Sequence, residues 1–319
     1  MDNRLSRAPL LGLLLLSCAT GSGEVRRETL RFEATTPLAP GWKRLQTADY
    51  ELLTDLPEDQ AQRAAQLLSQ SMVGLGAMFG RATPLLAQKL VVIALADSLE
   101  FERRFGKFAW GFAAPGRGET TVCLYGAPDR WFVRRANFVD STHSVLHHEL
   151  AHAVLSRYFA TQPTWFAEGM AQYLETFRWL DGETVLLGEP NVQAWRNYAA
   201  VRSLSMSEVL VWNSYEQRQT EILGRYGLAW AFVHYAINRE PQRFSSLLAD
   251  LIEGHDDAFA RAFGAPGDEL DKAIYAYLKQ GQYSQLRLKV PPAPQAAAKF
   301  ESSAEPAARL KQLEAQMKP

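Results

Sequence analysis

Cysteine is scarce in this sequence. Among its 319 residues, the two cysteines are Cys18 and Cys123. A framework of disulfides is therefore excluded as a source of stability. Cys123 lies in an apolar run between Val122 and Leu124, whereas a reactive thiol needs polar, electropositive surroundings. We therefore expect Cys123 to be a small buried side chain and not a nucleophile.

The chain also lacks an excess of either charge. Its 34 lysines and arginines balance 35 aspartates and glutamates, which argues against nucleic acid as a partner and against an anionic surface. Once a leader and a biased tail are set aside, about 250 residues remain for folding, enough for one large domain or two small ones. The function must therefore be sought in a local site.

The apolar run near the N-terminus is too short to span a membrane. It covers Leu10–Leu16, whereas a transmembrane helix takes about 20 residues. Arg4 and Arg7 precede the run, and a basic segment followed by a short apolar one is typical of an export signal. We predict a signal peptide over residues 1–18 and a tether over residues 19–40.

The end of this leader, Leu15-Leu16-Ser17-Cys18, resembles a bacterial lipobox. The resemblance implies that Cys18 becomes a lipidated N-terminus, which would anchor the protein in the cell envelope without a transmembrane helix. Ala19 is not the aspartate that commonly retains lipoproteins at the inner membrane, so the resemblance further implies an outer membrane location facing the periplasm. The alternative is an ordinary signal peptide whose cysteine is incidental.

The pattern of apolar residues predicts an α+β fold, with a small strand-containing N-terminal part and a mostly helical C-terminal part. Strands are predicted at Tyr50–Thr54, Leu90–Leu95 and Thr120–Tyr125, and a brief strand or turn at Thr184–Gly188. Helices are predicted over Pro57–Phe79, Ser98–Phe105, Pro163–Phe177, Arg225–Asn238 and Glu269–Lys279, and from a start at Asp140–Thr142 through Arg157.

We place one folded domain at residues 41–288 and a Pro/Ala-rich tail at residues 289–319. Several prolines, among them Pro291 and Pro292, interrupt any regular element in this tail. We therefore expect the tail to stay outside the core, and a cut near Lys289 to leave folding intact.

The histidines are concentrated in one short segment, since four of the six fall between positions 143 and 152. His148 and His152 are one helical turn apart, so both imidazoles can reach one zinc ion from the same helix face. Glu149 is rotated from His148 by a little over a quarter of a turn, which places its carboxylate beside a metal-bound water. The apolar neighbours of this segment indicate a core helix, in which such polar groups are costly without a metal or partners.

A catalytic zinc takes three protein ligands and keeps a fourth position open. Glu168 lies a short loop past His152, near the start of the next predicted helix, and is our candidate for the third ligand. Gly169 beside it has no Cβ, which lets the second helix approach the first closely. Glu175, two turns further on a similar face, is the rival ligand.

The segments His148-Glu149-Leu150-Ala151-His152 and Trp165-Phe166-Ala167-Glu168-Gly169 resemble the gluzincin clan of zinc peptidases, and more narrowly the peptidase MA-like family. The resemblance loosely covers residues 41–280. It implies one Zn²⁺ held by His148, His152 and Glu168, with Glu149 as the general base. Where thermolysin-like members carry an aspartate that orients a zinc histidine, this chain has Gln172.

The resemblance also implies a donor to the oxyanion that forms during hydrolysis. The candidates are Tyr226, which matches a family tyrosine best, and His234 two turns later. The alternative interpretation is that Tyr226 and His234 are both ordinary packing or surface residues. Thr120–Tyr125 is read either as an edge strand that pairs with an extended peptide or as a fully paired strand.

Three functions compete at this stage. The first is a zinc-dependent peptidase tethered in a bacterial envelope, with a peptide or protein as substrate. The second is a binding or assembly lipoprotein that keeps a zinc site without turnover, and the intact Glu149 argues against it. The third is a zinc hydrolase of non-peptide amides.

Overall fold

The computed structural model describes residues 41–79, 89–106, 111–116, 118–133, 143–159, 162–201, 203–213, 219–292 and 299–317. The predicted signal peptide, Cys18 and the predicted tether lie outside these residues. The predicted α+β class is confirmed, with a sheet in the N-terminal part and mostly helices in the C-terminal part. Within the described ranges, no helix combines the length and the apolar character that a membrane span requires.

The N-terminal part contains seven strands and three α-helices among the described residues. In chain order they are Trp42–Gln46 (β1), Tyr50–Thr54 (β2), Glu58–Gly76 (α1), Lys89–Leu95 (β3), Ser98–Phe105 (α2), Gly111–Gly116 (β4), Glu119–Tyr125 (β5), Phe132–Val133 (β6), His143–Ser144 (β7) and Val145–Tyr158 (α3).

The remaining elements are mostly helical. They are Thr164–Leu174 (α4), Arg178–Asp181 (β8), Thr184–Leu187 (β9), Val192–Ala200 (α5), Met206–Leu210 (α6), Gln219–Arg239 (α7), Pro241–Ile252 (α8), Ala258–Phe263 (α9), Asp268–Gln280 (α10), Leu286–Lys289 (β10), Glu301–Ser303 (β11) and Ala307–Met317 (α11).

The main sheet has six strands in the order β11-β1-β2-β3-β5-β4. Strands β2, β3 and β5 run parallel, with Leu52 opposite Val92 and Val92 opposite Val122. Strand β4 is antiparallel to β5 and ends the order of described strands on that side. The central strands are buried on both faces, which explains their continuous apolar sequences.

Helices cover both faces of this sheet. Because successive side chains of a strand point to opposite faces, Val92 packs in the main core with helices α1 and α3, whereas Ile93 packs in a second cluster with α2 and α11. Cys123 belongs to that second cluster and is fully buried, as its apolar neighbours predicted. Burial raises the pKa of its thiol, so it stays protonated.

The prediction that the tail stays outside the core is wrong for residues 299–317. Strand β11 pairs with β1, placing Ser303 opposite Trp42. Leu310 and Leu313 of helix α11 are buried against the outer face of the sheet. The prolines interrupt regular structure before this segment, but an amphipathic helix after them still covers apolar strand residues that would otherwise face water.

Leu310→Ala is therefore expected to lower the free energy of unfolding by about 2–4 kcal/mol, because it removes a fully buried side chain and leaves a cavity. The neighbouring Lys311→Ala, at an exposed position of the same helix, is the control and should change stability by less than about 0.5 kcal/mol. Urea unfolding midpoints of the two variants measure the difference. Equal midpoints would show that α11 does not contribute to the core.

The helices of the C-terminal part pack around α7. Its residues Leu228–Val233 are all buried, and α4 and α5 contact it through close helix approaches at Gly169 and Gly227. Trp165 and Phe166 of α4 are core residues: Trp165 packs edge-to-face on Phe232 of α7 and Phe166 on Phe159. They therefore anchor the helix that carries Glu168.

Candidate metal centre

Helix α3 carries the HExxH segment and begins at Val145. Ser144 is its N-cap, with a side chain that accepts a hydrogen bond from the backbone N–H of His147 at 3.1 Å. The predicted start at Asp140–Thr142 lies outside the described residues. In the structure the N-cap is Ser144, which comes two residues after that segment. Arg157 in the last turn agrees with the prediction.

His148, His152 and Glu168 converge on one point. Their ligand atoms all lie within 4.8 Å of one another. Glu168 Oε2 lies 3.3 Å from His148 Nε2 and 3.5 Å from His152 Nε2. Metal–ligand bonds of about 2.0–2.2 Å at tetrahedral angles separate neighbouring ligand atoms by about 3.3–3.6 Å. The Glu168 oxygen therefore lies at tetrahedral spacing from each of the two histidine nitrogens, and the three side chains form a candidate metal-binding group.

The position of Glu168 depends on the close packing of α4 against α7. A Cβ at Gly169 would stand 2.7 Å from the carbonyl oxygen of Ala229 and 2.9 Å from a methyl carbon of Val233. Only glycine fits at that distance, because a Cβ this close forces the backbones apart. The sequence predicts that Gly169 lets α4 approach the HExxH helix α3, and that partner is wrong: the helix that comes close at Gly169 is α7.

Gly169→Ala is expected to lower the free energy of unfolding by about 1–3 kcal/mol, because the added methyl group collides with the α7 backbone. It should also shift Glu168 and weaken metal binding. The control is Gly182→Ala, since a Cβ there meets nothing within 4 Å. Unfolding midpoints of both variants in urea test this, and equal midpoints would contradict the close approach.

Glu149 is buried beside the candidate metal group and does not belong to it. Burial raises the pKa of its carboxyl group, while His148 and His152 act in the opposite direction. The backbone of Ala113 in strand β4 hydrogen-bonds to the carboxylate. The Glu149 carboxylate is therefore held between the candidate metal-binding face of α3 and strand β4.

Glu175 is not a rival ligand in the structure, because it reaches the other side of the His148 ring. Its Oε2 lies 2.8 Å from His148 Nδ1, and its Oε1 accepts a hydrogen bond from Asn191 Nδ2. A carboxylate on the far nitrogen of a ligating imidazole fixes the tautomer and the ring orientation. Gln172 occupies the position at which thermolysin-like members carry the orienting aspartate, but the carboxylate that contacts His148 Nδ1 belongs to Glu175.

The surrounding carboxylates favour a positive charge on the His148 imidazole. Burial alone would lower the pKa of His148, but its hydrogen bonds to Glu168 and Glu175 outweigh this and raise the pKa well above its usual value. Burial likewise opposes charge on Glu168, yet attraction to His152 and His148 lowers its pKa. A proton or a divalent cation at the Nε2 atoms would supply the charge that these carboxylates stabilise.

The two candidate oxyanion donors differ in the structure. His234 is fully buried, with Nδ1 2.7 Å from the Tyr277 hydroxyl and Nε2 3.2 Å from the Gly188 carbonyl oxygen. Both ring nitrogens of His234 are thus engaged in contacts within the core. Burial lowers the pKa of His234 to about 4. Tyr226 is partly buried on α7 and packs edge-to-face on Trp212. Its role as a donor stays a prediction.

Strand β5 does not offer an edge to a peptide. It pairs with β3 along Glu119–Tyr125 and with β4 on its other side. The second of the two readings of Thr120–Tyr125 is therefore confirmed. Among the described strands, β4 ends the sheet on the side of the candidate metal centre, and it is not among the strands predicted from the sequence.

The candidate metal centre lies within a segment that matches a known family model. The family is described as "Protein of unknown function (DUF1570)", and the match covers residues 140–254. The matched segment includes the HExxH residues, Glu168, Glu175 and Tyr226. A search of curated proteins found no match.

Proposed function

We propose that the chain is a zinc-dependent peptidase of the gluzincin type. The observation that carries the proposal is the placement of Glu168 Oε2 at 3.3 and 3.5 Å from the two histidine Nε2 atoms, with Glu149 buried alongside. Two imidazoles and one carboxylate are the donor set of many catalytic zinc sites. The resemblance of the two sequence segments to peptidase MA-like proteins supports the same activity.

The residues present fit a zinc ion. His148, His152 and Glu168 would hold it through two nitrogens and one oxygen, and Glu175 would keep the His148 ring in place. When bound, zinc supplies a Lewis acid that activates water and polarises a carbonyl group. Glu149 then accepts the proton of the attacking water at its carboxylate and delivers it to the leaving nitrogen. Tyr226 is the proposed donor to the oxyanion.

A peptide is the proposed substrate because a sheet edge lies beside the base. Strand β4 ends the order of described strands, and its residue Ala113 hydrogen-bonds to Glu149. An extended peptide that adds to such an edge gains main-chain hydrogen bonds along its length. Binding in this way would bring a peptide bond of the added strand next to Glu149.

The proposal is tested by incubating the purified protein with a mixed peptide library and identifying new termini by mass spectrometry. Glu149→Gln protein is the matched control. New peptide termini that the control does not produce are the expected result. Cleavage of non-peptide amides alone would favour the other hydrolase hypothesis, and a zinc-loaded protein that cleaves nothing would favour the binding or assembly lipoprotein.

We further propose that the protein is anchored in the envelope through Cys18, which ends the lipobox-like segment. Cys18→Ser should move the protein from the membrane fraction to the soluble fraction of cells, because the acylated thioether cannot form. Immunoblots of the two fractions after a salt wash measure this. A variant that stays in the membrane fraction would refute the lipid anchor.

A further inference from the structure

Glu175 has contacts on both its backbone and its side chain besides the one with His148. The imidazole of His147 hydrogen-bonds to the backbone of Glu175, and Asn191 Nδ2 donates a hydrogen bond to Glu175 Oε1. Glu175 and Asn191 are only 1% and 4% exposed. With Oε1 bound by Asn191, Oε2 is the oxygen that faces His148 Nδ1, 2.8 Å away. The direction of the carboxylate therefore depends on Asn191.

The orientation of the Asn191 side-chain amide is fixed by the helix that it caps. Asn191 is the N-cap of α5, and its Oδ1 accepts a hydrogen bond from the backbone N–H of Ala194 at 3.0 Å. A backbone N–H only donates, so the amide oxygen must face Ala194 and the NH₂ group must face Glu175. One side chain thus joins the N-terminus of α5 to the carboxylate behind His148.

Capping alone does not require asparagine at position 191. Asparagine, aspartate and serine are about equally good N-caps. Ionised aspartate has no proton to donate, and serine has a single hydroxyl group for both tasks, whereas asparagine carries an acceptor and a separate donor. The residue present is therefore the one of the three that caps α5 through one group and donates to Glu175 through another.

The loop that carries Asn191, residues 188–191, is attached to the surrounding helices at its first residue. The Gly188 carbonyl oxygen accepts a hydrogen bond from His234 Nε2 of α7 at 3.2 Å. Gly188 has a φ of +80°, and a Cβ there would stand 2.6 Å from the hydroxyl oxygen of Tyr173 in α4, so only glycine suits this path. These contacts fix the start of the loop that brings Asn191 to Glu175.

We infer that Asn191 is a positioning residue for the metal centre and acts through Glu175. It holds the carboxylate so that Oε2 keeps the His148 ring turned with Nε2 towards Glu168, 3.3 Å away. A ligand that is oriented before the metal arrives loses less freedom on binding, and the metal is bound more tightly. The inference rests on the proposed zinc site and does not require that the site hydrolyses a peptide.

The test measures the zinc affinity of the full chain by competition with a chelator, without any peptide, at about pH 8, where carboxylates are ionised. Asn191→Asp and Asn191→Ser both retain an acceptor for the α5 cap and lack the separate N–H donor. Each is expected to weaken zinc binding by at least about fivefold, because the hydrogen bond from the amide to the Glu175 carboxylate is lost.

The matched controls are Asn197→Asp and Asn197→Ser on the same helix. Asn197 accepts a hydrogen bond from Gln193 at 2.8 Å, and the two changes alter charge and shape as the Asn191 variants do. Both controls should bind zinc within about twofold of the parent protein. Zinc binding as tight as the parent's in both Asn191 variants would overturn the inference.

A double-mutant cycle separates positioning from a general structural effect. Adding Asn191→Ser to Glu175→Gln should weaken zinc binding by less than about twofold beyond Glu175→Gln alone, because the carboxylate that Asn191 holds is already gone. Multiplication of the two single effects would show that Asn191 acts independently of Glu175 and would overturn the inference. So would a lower melting temperature of the metal-free Asn191 variants with zinc affinity unchanged.

Failure of this inference and failure of the proposed function give different results. A parent protein that takes up no zinc would refute the zinc site, and the role of Asn191 with it. Zinc binding of equal strength by the parent and both Asn191 variants would refute only the role of Asn191. Zinc binding that weakens as expected, in a protein that cleaves no peptide, would support the role of Asn191 and refute the peptidase.

Discussion

Glu149→Gln is expected to reduce hydrolysis by about two to four orders of magnitude while zinc content stays near that of the wild type. Glu149 is adjacent to the candidate metal-binding group but is not a member of it. Replacing its carboxylate with an amide therefore removes the proton acceptor and leaves every proposed metal bond in place. The amide has nearly the same shape, and the Ala113 backbone contact limits any rearrangement.

Initial rates on one peptide and zinc content by elemental analysis measure these two effects separately. The control is Glu183→Gln, at an exposed turn between β8 and β9, which should leave both quantities unchanged. Undiminished hydrolysis by Glu149→Gln would remove this residue from the mechanism. A parallel loss of zinc would instead make it a ligand.

The second large effect is expected from Glu168→Gln, which should make the metal readily lost to a chelator. A neutral amide oxygen is a poorer zinc ligand than a carboxylate, and His148 and His152 alone hold zinc weakly. The amide also removes the negative charge that lies 3.3 and 3.5 Å from the two histidine nitrogens. Zinc retained after dialysis against the chelator is the quantity to measure.

Glu175→Gln separates a ligand from a residue that orients one. From the sequence alone this change should be tolerated, but the structure revises that expectation, because Glu175 accepts from His148 Nδ1 at 2.8 Å. Zinc affinity should fall by about 10–100-fold, as for other partners of ligating histidines, and less than in Glu168→Gln. If Glu175→Gln strips the zinc and Glu168→Gln keeps it, the assignment of the third ligand is wrong.

Local geometry explains which parts of the candidate site were predictable. His148 and His152 share one helix face, so their four-residue spacing alone brings them together. Glu168 follows within a short loop and helix. The contact of Glu175 with His148 spans 27 residues, and that of Asn191 with Glu175 spans 16. Both depend on how α3, α4 and α5 pack, which no local pattern encodes.

The same distinction applies to the fold. Strands β3 and β5 were predicted because burial on both faces gives them continuous apolar sequences. Strand β4 was missed because Gly111, Pro115 and Gly116 interrupt its pattern, which an edge strand tolerates. Helix α11 was not predicted as a core element because the prolines before it suggest disorder. Its burial depends on the face of the sheet that the helix covers, which the local sequence does not show.

The most direct test of the zinc-peptidase account is the rate of peptide hydrolysis as zinc is titrated into chelator-treated protein. Activity should be absent at the start, rise linearly, and reach a plateau at one zinc ion per chain, because His148, His152 and Glu168 form one three-ligand group. Hydrolysis that persists in the chelated protein and does not respond to added zinc would contradict the account.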